Sequence, residues 1–160
     1  MDGMIQPSLD VISELAAAFI GTVAFSVLFG VPKKYYMYCG LTGGVGWAVY
    51  LMFGGLNDSP IMGTFVASAV LTALSRYLAV QCKAPTTIFL LCGIFTLVPG
   101  AGIYYTAYNI FMGEGQLALA NGMHTIKTAV AIGLGIGVAY SIPPWIFGWH
   151  RDVNVWSEDD

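Results

Sequence analysis

Charge is scarce in this sequence. Asp, Glu, Lys and Arg make up 9% of its 160 residues, against roughly 25% in a soluble domain, while 57% of residues are hydrophobic and the mean hydropathy is +0.72. So few charges cannot cover a water-facing surface, so the chain reads as an integral membrane protein with nothing left over for a second, soluble domain. Its six cations are dispersed and its net charge is −3, which excludes a basic face for nucleic acid or for an anionic membrane surface. Paired cysteines are also lacking: Cys39, Cys82 and Cys92 are odd in number and lie mostly within apolar runs, so they read as small buried hydrophobes rather than a redox or metal site. No Walker-type phosphate loop, HExxH, CxxC pair or GxSxG occurs, and the two histidines, His124 and His150, are far apart. ATP hydrolysis, metal chemistry and nucleophilic catalysis thus lack their parts, so the chain reads as no enzyme, with no cofactor and no metal, and any transport it supports is driven by gradients. A signal peptide is missing its positive end too, since Met1 to Asp10 holds Asp2 and Asp10 but no Lys or Arg.

What the sequence does have is long apolar runs. They fall at about residues 9–29, 35–53, 61–80, 86–112 and 116–142, followed by a polar tail at 143–160, each run near the ~20 residues a helix needs to cross the hydrocarbon core. The expected fold is therefore all-α and polytopic, with about five transmembrane helices in one domain. Asp10 and Glu14 fall in the opening turns of the first span, where acids suit the helix dipole. Asp10 fits the interface; Glu14 lies one turn, roughly 6 Å, deeper, and reads either as a snorkelling carboxylate or as a protonatable group facing a cavity. In the second span Tyr35, Tyr36 and Tyr38 fit an interfacial aromatic belt, Gly40, Gly43, Gly44 and Gly46 offer a smooth face for close packing, and Trp47 reads as a packed aromatic or a pathway wall. Ser68, Thr72 and Ser75 of the third span are candidates for interhelical or back-bonded hydrogen bonds. Arg76 near its end is a topogenic anchor or a clamp for a substrate carboxylate. His124 and Lys127 of the fifth span share one helix face with Asn121 a turn earlier, fitting an interfacial turn, a proton relay or an anion site. Gly133, Gly135 and Gly137 have no strand before them and read as close-packing glycines. Trp145 and Trp149 suit the far interface.

The fourth run is organised around Leu97-Val98-Pro99-Gly100-Ala101-Gly102. Proline has no N–H to donate and its ring crowds the carbonyl four residues back, so the helix is expected to be interrupted at Pro99-Gly100. In hydrocarbon an unpaired peptide group costs several kcal/mol, so such a break survives only where it is buried in protein or lines a wet cavity. Interrupted helices in transporters often form the substrate site, because their freed N–H ends attract anions.

Orientation follows from the cations. Lys33, Lys34, Arg76, Lys83 and Arg151 follow the first, third and fifth spans, whereas Asp58 and Glu114 follow the second and fourth. The positive-inside rule then puts the N-terminus outside and the C-terminus in the cytoplasm of a multi-pass cell-membrane protein.

Phe29-Gly30-Val31-Pro32, Cys39 with the glycines up to Gly46-Trp47, Thr64 to Ser68, Ser75-Arg76, Lys83-Ala84-Pro85-Thr86-Thr87-Ile88-Phe89 and Leu97 to Tyr105 together resemble the threonine/serine exporter (ThrE-like) family, in its small split-subunit branch of the YjjB type. Thr96 stands where members often carry a further proline. The resemblance implies export of small amino or carboxylic acids: threonine and serine in fused members, succinate in a split pair. It also implies a larger ThrE-like partner subunit, with room for a higher oligomer. The expected roles are a substrate carboxylate held by the N–H groups after Pro99 and Gly100, beside Ala101 and Gly102. Tyr104 and Tyr105 would form walls, Arg76 a countercharge, and Glu14, His124 or Lys127 would couple protons. A scaffold subunit that touches no substrate is the rival reading.

Overall fold

Apolar runs become helices because, away from water, each backbone N–H and C=O has to find its partner within its own segment. The computed structural model describes residues 6–56 and 59–143, and these form α1 (Gln6–Leu28), α2 (Tyr36–Leu56), α3 (Pro60–Cys82), α4 (Thr86–Ile94), α5 (Gly100–Phe111) and α6 (Gly115–Ser141), with a 3-10 turn at Lys33–Tyr35 and no strand among the described residues. Three helical stretches, Asp10–Leu28, Pro60–Cys82 and Gly115–Ser141, are long and apolar enough to cross a membrane. α2, with 21 residues, is long enough to cross by length. α4 and α5, at 9 and 12 residues, are each too short to cross alone. Asp58, Trp145, Trp149, Arg151 and residues 144–160 of the polar tail lie outside the described residues.

Helix ends are set by left-handed residues. Gly30 (φ +66°) closes α1, with the Val31 N–H donating to the Ser26 carbonyl at 3.0 Å, and Gly113 (φ +78°) closes α5, with the Glu114 N–H donating to the Asn109 carbonyl at 2.9 Å. α3 ends the same way on a residue with a side chain: Lys83 sits at φ 50° while the Ala84 N–H reaches the Ala79 carbonyl at 3.0 Å.

α2 is the hub, packed against by α1, α3 and α4. Its glycines permit this. Gly40 lies under Phe19, Gly43 under Thr22 and Gly46 under Leu71, so a Cβ at any of them would collide with a neighbour. Gly44 is looser, with Phe19 4.0 Å from where its Cβ would be. On α6, Gly135 lies against the α3 backbone and the Ser68 hydroxyl, whereas Gly133 and Gly137 meet nothing within 4 Å, so only the first packs as the sequence suggested. Ser68, Thr72 and Ser75 all bond back to carbonyls of their own helix, at Phe65, Ser68 and Leu71.

Two apolar clusters fasten the bundle. At one end Val31, Tyr35, Cys39, Leu78, Ala79, Phe89 and Cys92 join the end of α1, the start of α2, the end of α3 and α4. Tyr35 is buried within the protein, donates its hydroxyl to the Cys82 carbonyl at 3.3 Å and meets Phe89 edge-on. In the middle Ala67, Leu71, Leu97 and Ile132 join α3 and α6 to the segment between α4 and α5. α5 itself packs chiefly on α6, through Gly102 against Thr125 and Gly122 against Thr106.

Candidate functional site

The α4–α5 segment begins to depart from helix at Phe95, four residues before Pro99. That is the residue whose carbonyl the Pro99 ring would strike in a continuing helix, and the position before a proline also disfavours the α conformation. Short-range bonds pair the backbone through the turn: Thr96 N–H to Gly93 C=O at 3.2 Å, Leu97 N–H to Ile94 C=O at 2.9 Å, and Gly100 N–H to Val98 C=O at 2.8 Å. Tertiary contacts hold it. The Phe95 ring lies 4.7 Å from Phe25 and 5.4 Å from Phe29 of α1, measured between centroids, while Leu97 is buried in the middle cluster.

Between these anchors the segment opens, at Thr96, onto a groove of about 320 Å³. Its floor is α1, where Ala18 and Gly21 are too small to fill it; Glu14 and Phe25 stand along the same helix, and Trp47 closes it from α2. Glu14 accepts a hydrogen bond from the Trp47 indole N–H at 3.2 Å, and the indole packs on Tyr50 with centroids 5.0 Å apart. The Thr96 hydroxyl donates to the Gly93 carbonyl at 2.8 Å, leaving its oxygen lone pairs for a further donor. Among the described residues, Glu14 is the one ionisable residue along this groove. A second hollow, about 290 Å³ between the other faces of α1 and α2, is lined by apolar residues such as Leu15, Phe19 and Leu41.

The residues singled out from the sequence do not converge on one spot. Pro99, Gly100, Ala101 and Gly102 start α5, with Gly100 and Ala101 exposed and Gly102 tucked against Thr125. The Gly100 N–H is already committed to Val98, so the first-turn donors without an intrahelical acceptor are those of Ala101 and Gly102. Tyr104 and Tyr105 are exposed and meet edge-on, with Tyr104 stacked on Tyr108, outside the lining of the groove. Arg76 is buried between α3 and α6, donating to the Ala139 carbonyl with its guanidinium 5.5 Å from the Tyr140 ring centroid. A cation there complements the negative end of α6. His124 and Lys127 are exposed on α6. Glu14 is the one of these candidates that the fold brings to the turn before Pro99, and it does so through Thr96 and Trp47.

Phe25 and Phe95 carry the site without having been singled out, and Thr96 and Leu97 were noted in the sequence but given no role in it. One pairing was within reach of arithmetic. Glu14 lies 8 residues after the start of α1 and Trp47 lies 9 before the end of α2, about 12 and 14 Å along their axes, so an antiparallel hairpin puts them level.

A family model described as "Threonine/Serine exporter, ThrE" matches residues 14–142. Among curated proteins, the chain is similar to an uncharacterized protein of Haemophilus influenzae, 26% identical over 96 residues, which cover 60% of this chain and 32% of that protein. The chain thus matches only about a third of the length of that curated relative. No solved structure matches.

Proposed function

The chain belongs to the threonine/serine exporter family, and from that premise we propose that it is a membrane subunit of a gradient-driven exporter of small amino acids whose solute path runs along the Glu14–Trp47–Thr96 groove. The observation that carries this is the departure from helix at residues 95–99, fastened on one side by Phe95 and Leu97 and open on the other to a groove. Broken backbone at membrane depth is tolerated where it lines a cavity.

In this reading α4 and α5 are the halves of one interrupted span. Their 9 and 12 residues supply about 32 Å of helix against a hydrocarbon core of ~30 Å, so α1, α2, α3, α4–α5 and α6 give five crossings, with the N-terminus outside and the C-terminus cytoplasmic. The Ala101 and Gly102 N–H groups face a substrate carboxylate. Glu14 is the proton-coupling group in the groove; His124 and Lys127, outside it, serve only if a further cavity forms over α6. Arg76 acts as an anchor for the end of α6 rather than as a countercharge. A larger ThrE-like partner completes the pathway, in keeping with a curated relative longer than this chain and with the outward Tyr104, Tyr105 and Phe111 of α5.

Ala18→Phe and Thr96→Trp, which fill the groove from its two walls, test the path. Threonine efflux from preloaded cells should fall to background at unchanged membrane level, while Gly133→Phe, in open space, leaves efflux intact. Normal efflux from both groove-filling variants sinks the proposal. The outward face of α5 supports a second reading, a scaffold that carries no solute; there the groove variants stay active and changes at Tyr105 and Phe111 release the partner. Succinate efflux, measured alongside, tests a dicarboxylate as the cargo instead.

A further inference from the structure

The groove presents charge of one sign only. Glu14 supplies it, with one carboxylate oxygen on the Trp47 indole N–H at 3.2 Å, and the remaining walls are apolar apart from the Thr96 hydroxyl. The indole N–H engages one carboxylate oxygen and leaves the second available to the groove as an acceptor. A carboxylate oxygen and a hydroxyl oxygen lining one groove are acceptors that an ammonium takes, by a charge-assisted hydrogen bond and a neutral one. A dianion entering the same groove meets the reverse, because Arg76 is engaged at Ala139 and Tyr140 and neither His124 nor Lys127 lines the groove.

We propose that Glu14 and Trp47 are the seat of the α-ammonium of a zwitterionic amino acid, and that this seat rejects dicarboxylates by charge. The proposal rests on the exporter reading and adds to it the residue that decides between the two cargo classes.

The test uses inside-out vesicles from cells carrying the complete exporter and compares initial uptake of labelled threonine and labelled succinate. Wild type should take up threonine well ahead of succinate. Glu14→Gln keeps an acceptor for the indole and removes only the charge. It should cut threonine uptake at low concentration by roughly 10- to 100-fold, the range carried by a hydrogen bond to a charged group, and narrow the gap to succinate. Glu14→Asp should restore part of it. N-acetylthreonine, which has a carboxylate and a hydroxyl but no cation, should fail to compete where serine competes, and this arm decides the matter on wild type alone if Glu14→Gln does not reach the membrane. Wild-type threonine uptake by Glu14→Gln, competition by N-acetylthreonine equal to that of serine, or a wild-type preference for succinate overturns the seat while leaving the exporter intact. Uptake of neither solute by wild type overturns both.

Discussion

On α6, Gly135 lies against the α3 backbone, a Cβ there falling 3.1 Å from the Ala69 nitrogen and close to the Phe65 carbonyl, whereas Gly133 two residues earlier meets nothing within 4 Å. Backbone cannot rotate aside as a side chain can. Gly135→Ala should therefore push α3 and α6 apart at about 1–3 kcal/mol, the usual range for overpacking, while Gly133→Ala should be neutral or gain up to ~1 kcal/mol of helix propensity. Unfolding each variant with SDS in mixed micelles measures this, and equal midpoints would contradict the packing. Lys83 gives the opposite kind of residue effect. It holds φ 50° at the end of α3, a conformation that costs a residue with a Cβ roughly 1–2 kcal/mol. Lys83→Gly should raise the same midpoint by about 1 kcal/mol, and Lys83→Ala, which keeps a Cβ, should not.

At the scale of elements, the helical character of the chain was legible because lipid leaves apolar segments no other choice, and the membership of Cys39 and Cys92 in the core followed from their apolar surroundings. Proline chemistry accounts for a helix boundary at 99. It says nothing of Phe95 clasped by Phe25 and Phe29, or of Leu97 inserted between α3 and α6, because those contacts depend on which faces of three distant helices meet. The burial of Tyr35 was hidden for the same reason: nothing at the start of an apolar run shows that Cys82 and Phe89 will cover the ring. Arg76 could not be assigned either, since anchor and clamp ask for the same residue at the same depth. The anchoring of the 95–99 turn can be measured. Leu97 is 6% exposed and Val98 40%, so Leu97→Ala should destabilise by about 2–5 kcal/mol and speed amide exchange across 95–99 several-fold, while Val98→Ala leaves both unchanged. Exchange that is no faster in Leu97→Ala would show that the turn holds itself.

For the whole molecule, contacts and charge agree on which helix ends lie together. The cluster around Tyr35 joins the end of α1 to the start of α2 and the end of α3, near Lys33, Lys34 and Lys83, and the contact of Arg76 with Ala139 brings the end of α6 to the same side. α6 has 27 residues, about 40 Å at 1.5 Å per residue, long enough to put its start at Gly115 on the far side of a ~30 Å hydrocarbon core. α4 starts near Lys83 and α5 ends beside α6's start, so the proposed reading has the pair cross between them. Single cysteines in a chain whose three native ones are replaced by alanine test this. Pro32→Cys and Gln81→Cys should react with an impermeant maleimide only in inside-out vesicles, and Ser59→Cys and Glu114→Cys only in intact cells. Reversed labelling throughout would invert the orientation and leave the five crossings standing. Labelling of Glu114→Cys on the same side as Gln81→Cys would instead mean that α4 and α5 turn back without crossing, which removes the interrupted span on which the solute path depends.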